Sequence, residues 1–123
     1  MTYAYLASPY THRDSDIRRL RLDQTRLCFV WLLKQKIWVY SPILHCRETS
    51  ILHSLPTEWD FWWPLNRAML EAADKLMIFT LEGWEDSEGI KKEVDFCHNN
   101  GKPITYVHPL AFELSNHDPR QPF

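Results

Sequence analysis

Lys75-Leu-Met-Ile-Phe-Thr80 and Gly83-Trp-Glu-Asp-Ser-Glu-Gly-Ile-Lys-Lys-Glu93 are separated by two residues. The first stretch is a short, continuous apolar run and reads as a buried strand. The second opens as a polar turn and becomes a helical pattern from Ser87 to about Asn99, stopped by Asn100-Gly101. A strand that feeds a helix through a polar turn is the repeating unit of an open α/β sheet, and ligands of such sheets sit at that turn. The helix start offers free backbone N–H groups and the positive end of a dipole. Glu93 lies one turn after Gly89 on the same face, so a residue without a side chain leaves space beside a carboxylate.

Working outward, Thr2 to Ala7 reads as a first buried strand, ended by Ser8-Pro9. A polar loop to Asp14 follows, and Asp14 or Ser15 can cap a helix that runs to about Gln35. Its predicted core stripe is Ile17, Leu20, Leu27, Cys28 and Trp31. The second half, Leu27 to Leu33, is apolar all round, which implies deep burial or a subunit interface. Lys36 to Tyr40 reads as the second strand. Residues 41 to 55 read as a long loop carrying His45, Cys46, Arg47, Glu48 and His53, and such loops are often functional. Thr57 is the expected N-cap of a helix to about Ala73, disturbed at Pro64, with Leu65, Met69 and Ala72 or Ala73 facing the core. Pro103 to Val107 is the fourth strand. The expected fold is an α/β three-layer sandwich, flavodoxin-like or Rossmann-like, with a parallel sheet of four to five strands and helices on both faces. The domain spans residues 1–110, and 111–123 form a peripheral tail.

Composition narrows the function. A chain of 123 residues with 45% hydrophobic and 24% charged residues can bury a core without disulfides or metal. A net charge of -2 gives no electrostatic case for a nucleic-acid polymer. Arg18, Arg19, Arg21 and Arg26 share one predicted helix, as a solvated face or a phosphate-binding patch. Cys28, Cys46 and Cys97 are odd in number and far apart, the N-terminus enters a strand directly without a leader-like pattern, and no apolar run approaches membrane-spanning length. These features point to a reducing, cytoplasmic setting and no membrane. Trp59, Trp62 and Trp63 crowd one segment with Phe61, as packing, interface or a base-stacking platform.

The sequence has no GxGxxG, Walker loop, CxxC, HExxH or GxSxG. His45, Cys46 and His53 match no metal-site spacing, so neither metal nor cofactor is expected. What remains is a carboxylate site at the carboxyl ends of the strands. It draws on the Tyr5–Tyr10 loop, the aromatic helix and the Gly83–Glu93 turn.

Four pieces of the chain carry a family resemblance. They are Tyr5-Leu-Ala-Ser-Pro9, Ala73-Asp74 before an apolar strand, Ser87-x-Gly89-x-x-x-Glu93, and Gly101-Lys102-Pro103. In this order they resemble the nucleoside 2-deoxyribosyltransferase superfamily, over roughly residues 3 to 107 and closest to a branch with a Gly-Trp-x-x-Ser-x-Gly turn. The resemblance implies cleavage or transfer of the N-glycosidic bond of a 2'-deoxynucleoside or its 5'-monophosphate. It assigns Glu93 as nucleophile and Tyr5 as the tyrosine that orients it, although Tyr5 also fits a plain core position. Ser87 matches a residue that contacts sugar or phosphate, and it is a good N-cap on propensity alone. Ser8, Pro9, Tyr10, Asn66, Gly83, Trp84, Ser87 and Gly89 are the expected substrate-binding residues. The family commonly has an aspartate where this chain has Asn66, and an amide cannot act as a general acid. Asp60, Glu71 or His12 would then have to protonate the leaving base. Glu82, Glu85 and Asp86 would raise the pKa of Glu93 if they face the pocket. The implied partner is a small nucleoside or nucleotide, on a homo-oligomer. Two further readings stay open: a non-catalytic nucleotide binder on the same scaffold, and a module that binds a protein partner through the Trp-rich face.

Overall fold

The computed structural model describes residues 2–111. The elements, in order, are β1 (Ala4–Ala7), α1 (Ser15–Lys34), β2 (Val39–Tyr40), α2 (Pro42–Leu52), α3 (Trp59–Ala72), β3 (Lys75–Phe79), a 3-10 turn at Trp84–Asp86, α4 (Glu88–Asn99) and β4 (Ile104–Val107). The strands form one all-parallel sheet in the order β2-β1-β3-β4. This is the α/β three-layer architecture read from the sequence. The proposed tail lies outside the described residues, apart from Ala111.

Side chains alternate between the two faces of a strand. Ala4 and Leu6 of β1 point to one face, where they join Met77, Phe79, Val107 and the α1 residues Cys28 and Leu32. Tyr5 and Ala7 point to the other, with Leu76, Ile78, Leu70 of α3, and Ile90 and Cys97 of α4. Strand parity thus puts Tyr5 on the same side of the sheet as Glu93. The chain order reverses between β1 and β3, which are neighbours in the sheet. That reversal opens a crevice at the carboxyl ends of the strands, between the loops after β1 and β3.

Several local expectations need correction. Residues 41–55 are not a loop: α2 fills most of them. Ser41 is its N-cap, with Oγ accepting from Leu44 N at 3.2 Å, and Pro42 occupies the first helical turn. No apolar period announces this helix, because Ile51 and Leu52 are exposed and only Ser50 is buried. The second strand is shorter than Lys36–Tyr40. Lys36 takes φ 61°, Lys36 N donates to Leu33 O at 2.9 Å and Ile37 N to Leu32 O at 3.0 Å. This is a Schellman turn, so those two residues finish α1 instead of starting β2. The buried stripe of α1 is Thr25, Cys28 and Leu32, while Leu20 and Leu27 are exposed. Thr25 tolerates burial because its hydroxyl donates to Arg21 O at 2.8 Å. On α3 the N-cap is Glu58, not Thr57, and Leu70 is buried where Leu65 was expected. Pro64 falls inside α3 without ending it.

Candidate active site

Helix α4 carries the site. Ser87 is its N-cap, with Oγ accepting from Ile90 N at 3.3 Å. Its buried stripe is Ile90, Glu93 and Cys97, so a carboxylate occupies a position that amphipathic spacing reserves for an apolar side chain. Glu93 is 8% exposed. None of the ion pairs among the described residues involves it. Burial pushes its pKa up to about 7, and the Tyr5 hydroxyl pulls in the opposite direction. The Glu82, Glu85 and Asp86 cluster is not the cause; the rise has the expected direction but comes from desolvation.

Tyr5 reaches Glu93 from β1. Burial raises the Tyr5 pKa, and the Glu93 charge adds to the rise. The phenol is close enough to the carboxyl for the two to influence each other's titration. It has no partner at full hydrogen-bonding geometry, so Glu93 and Tyr5 are neighbours that stop short of a well-formed hydrogen bond. The Tyr5 ring also packs at 5.8 Å from Tyr40.

Glu93 forms part of the wall of a cavity of about 300 Å³, at the small end of the range for small-molecule sites. The loop after β1 contributes Ser8, Tyr10 and Thr11. Helix α2 contributes Ile43, Cys46, Arg47 and Ser50; α3 and its approach contribute Thr57, Trp59, Trp62 and Asn66; the α4 start contributes Ser87, Glu88 and Gly89. Gly89 has room: a Cβ there would meet only Ser87 Oγ, at 3.9 Å. The glycine is therefore not demanded by the protein's own packing, and it keeps the cavity open beside Glu93.

Of the residues singled out in the sequence, Ser8, Tyr10, Asn66, Ser87, Gly89 and Glu93 line this cavity. Tyr5 lies behind its wall. Pro9, Gly83 and Trp84 are not brought to it. Pro9 and Gly83 line a larger cavity of about 1010 Å³ that shares Tyr10, Thr11, Ser87, Glu88 and Gly89 with the first. Gly83 has φ 91°, and a Cβ on it would meet Arg21 Nη2 at 2.4 Å. The glycine admits the Arg21 guanidinium, which donates to Glu82 O at 3.1 Å and Thr11 O at 2.9 Å. Trp84 packs edge-on against Tyr106 at 5.8 Å, on the α4 side of the sheet.

The arginine-rich helix is likewise structural at three positions. Arg18 donates to His12 O, Arg21 ties two loops, and Arg26 pairs with Asp23 and Glu48. The tryptophan segment divides. Trp59 and Trp62 face the cavity, whereas Trp63 stacks on Trp59 at 4.8 Å and meets Phe96 edge-on at 5.6 Å. Asp60, Glu71 and His12 do not line the cavity of Glu93; Glu71 pairs with Arg67 at 2.8 Å. Glu88 is the second carboxyl on the wall.

Helix α2 is the part of the site that sequence reading missed. Once Ser41-Pro42 is taken as a helix start, Ile43, Arg47 and Ser50 fall at i, i+4 and i+7, one face of a helix. That signal was present in the sequence. Among the described residues, no three His, Cys, Asp or Glu side chains gather to hold a metal ion. Likewise, no helix there is long and apolar enough to cross a membrane.

The family described as Domain of unknown function (DUF1937) matches residues 2–109. The chain belongs to the DUF1937 family. That match covers every strand and helix of the fold and the whole wall of the Glu93 cavity. No curated protein matches the sequence. The family description assigns no activity, so function rests on the site.

Proposed function

We propose that the protein cleaves or transfers the N-glycosidic bond of a 2'-deoxynucleoside or its 5'-monophosphate, with Glu93 as the nucleophile. The observation that carries this reading is a buried carboxyl that makes no ion pair among the described residues, set in a cavity wall beside a tyrosine hydroxyl and one turn beyond a glycine. A carboxylate beneath the anomeric carbon stabilises an oxocarbenium-like transition state. It then donates an electron pair to C1', the C1'–N bond breaks, and its electrons leave with the base. The resulting glycosyl ester is released by water or by a second base. With its pKa pushed up to about 7, Glu93 exchanges between acid and anion near neutrality, and the anion is the nucleophile. In this reading Tyr5 orients the carboxylate, Trp59 and Trp62 flank the base, and Asn66 hydrogen-bonds it.

Separation of bases from nucleosides and monophosphates by HPLC tests the proposal, with wild type beside Glu93→Ala. Wild type should release free base and the variant should not. Equal release by both, or release by neither across the panel, would sink the idea. Release without an acceptor base identifies a hydrolase.

Asn66, in the position of an acid, favours a second reading: a nucleotide-binding protein without turnover. It predicts a ligand that raises thermal stability and is recovered intact. We also propose a cytoplasmic homo-oligomer. The free thiols of Cys28, Cys46 and Cys97 support a reducing compartment. The exposed Leu20, Leu27 and Val30 of α1 support a subunit contact, which light scattering would measure.

A further inference from the structure

Besides the Asn66 Oδ1, three polar side chains lining the cavity hold a buried atom with no hydrogen-bond partner. Ser8 is 8% exposed and Ser50 4%, yet neither hydroxyl oxygen has a hydrogen-bond partner. The Arg47 Nε is also buried and unpartnered. Buried polar groups are ordinarily satisfied, and each exception asks for an explanation. All three line the same cavity.

Their placement is ordered. Arg47 and Ser50 are three residues apart on α2, and Ser8 immediately follows β1, the strand between β2 and β3. Glu93 comes from α4, on the β3 side. The Arg47 guanidinium lies over the Tyr10 ring, 4.4 Å from its centre, a contact that leaves its N–H donors for another group. The ion pairs of the described residues leave Arg47 without a carboxylate, while its neighbour Glu48 is held by Arg26. A planar fork of N–H donors beside two hydroxyls is the donor set of an oxyanion site.

We infer that Arg47, Ser8 and Ser50 form an anion subsite at the α2 end of the cavity, and that the substrate carries a phosphate there while its reacting carbon faces Glu93. The inference rests on the glycosidic reading for what Glu93 does, but the subsite stands on its own donors. It selects a 5'-phosphorylated deoxynucleoside over the free nucleoside.

Isothermal titration tests both parts, using inorganic phosphate, a 2'-deoxynucleoside 5'-monophosphate and the matching nucleoside. Wild type, Arg47→Gln, Arg47→Lys and Ser50→Ala are compared. Phosphate should bind wild type weakly and Arg47→Gln not measurably. The monophosphate should lose at least about tenfold in affinity in Arg47→Gln, and less in Arg47→Lys, which keeps the charge but not the fork. Ser50→Ala removes a hydroxyl that has no partner in the free protein. It should keep wild-type thermal stability and still bind the monophosphate more weakly, which a purely structural serine would not produce. The nucleoside should bind all four proteins alike. No phosphate binding to wild type, or equal monophosphate affinity in wild type and Arg47→Gln, would overturn the subsite. Phosphate binding that depends on Arg47, with no base released from any compound, would uphold the subsite and overturn the glycosidic reading.

Discussion

On the α1 face of the sheet, Leu6, Met77 and Phe79 meet Cys28 and Leu32. On the α4 face, Tyr5, Leu76 and Ile78 meet Ile90, Cys97 and a carboxyl group. The same strands build both faces, and alternate residues serve each. One face is apolar packing apart from Thr25, whose hydroxyl is satisfied within its own helix. The other interrupts its stripe with Glu93 and places a phenol opposite. Burial of an unpaired carboxyl disfavours its charged form, so this second face gives up stability for a chemical group held at a pKa of about 7.

The largest effect should come from breaking the apolar face. Leu32 is 1% exposed, so Leu32→Ala should destabilise the protein by about 2–5 kcal/mol in urea unfolding. The loss should be the same at pH 5 and pH 8, since the groups around it are apolar. A loss under about 1 kcal/mol would mean that this face is loosely packed.

The Glu93 face should respond to pH instead. Below about pH 4.5, the ordinary value for a glutamate, Glu93 is protonated whether the chain is folded or not. As pH rises from there to about 7, the unfolded carboxyl ionises while the folded one keeps its proton. Stability therefore falls through this window and levels off above it. Glu93→Gln has no proton to lose. It should match wild type near pH 4 and exceed it by on the order of 3 kcal/mol at pH 8. A stability difference that does not change with pH would contradict a buried, ionisable Glu93.

The smallest effect sharpens the comparison within α4. Gly89 sits in a helix where nothing crowds a Cβ. Gly89→Ala should raise stability by about 0.5–1 kcal/mol. The added methyl points to the cavity, so ligand affinity measured by thermal shift should fall. A stable variant with unchanged affinity would show that ligand does not approach Glu93 past residue 89.

The two faces were unequally legible in the sequence. The strand Lys75–Phe79 and helix α4 could be read because a continuous apolar run, a serine cap and an Asn-Gly stop all agree. The Glu93–Gly89 pair followed from helical spacing alone. Helix α1 was legible as a helix but not in its facing. Its second half is apolar on every side, so periodicity picked out Cys28 but could not choose Thr25 and Leu32 over Leu20 and Leu27. Helix α2 was misread because it rests on a cap and a proline and has almost no buried face. The cost was Arg47 and Ser50. The Gly-Trp-x-x-Ser-x-Gly turn assigns Gly83 and Trp84 to the site, but a left-handed turn sends them to the Arg21 contact and to Tyr106.

The central claim is that the Glu93 carboxyl makes a bond to sugar. Peptide mass spectrometry tests it most directly, on protein quenched during turnover of a deoxynucleotide analogue bearing a 2'-fluoro substituent. The fluorine disfavours positive charge at C1' and slows loss of the ester. The account predicts a glycosyl ester on the peptide that contains Glu93, absent from Glu93→Gln. Base release with that peptide unmodified, or an ester on another carboxylate, would contradict it.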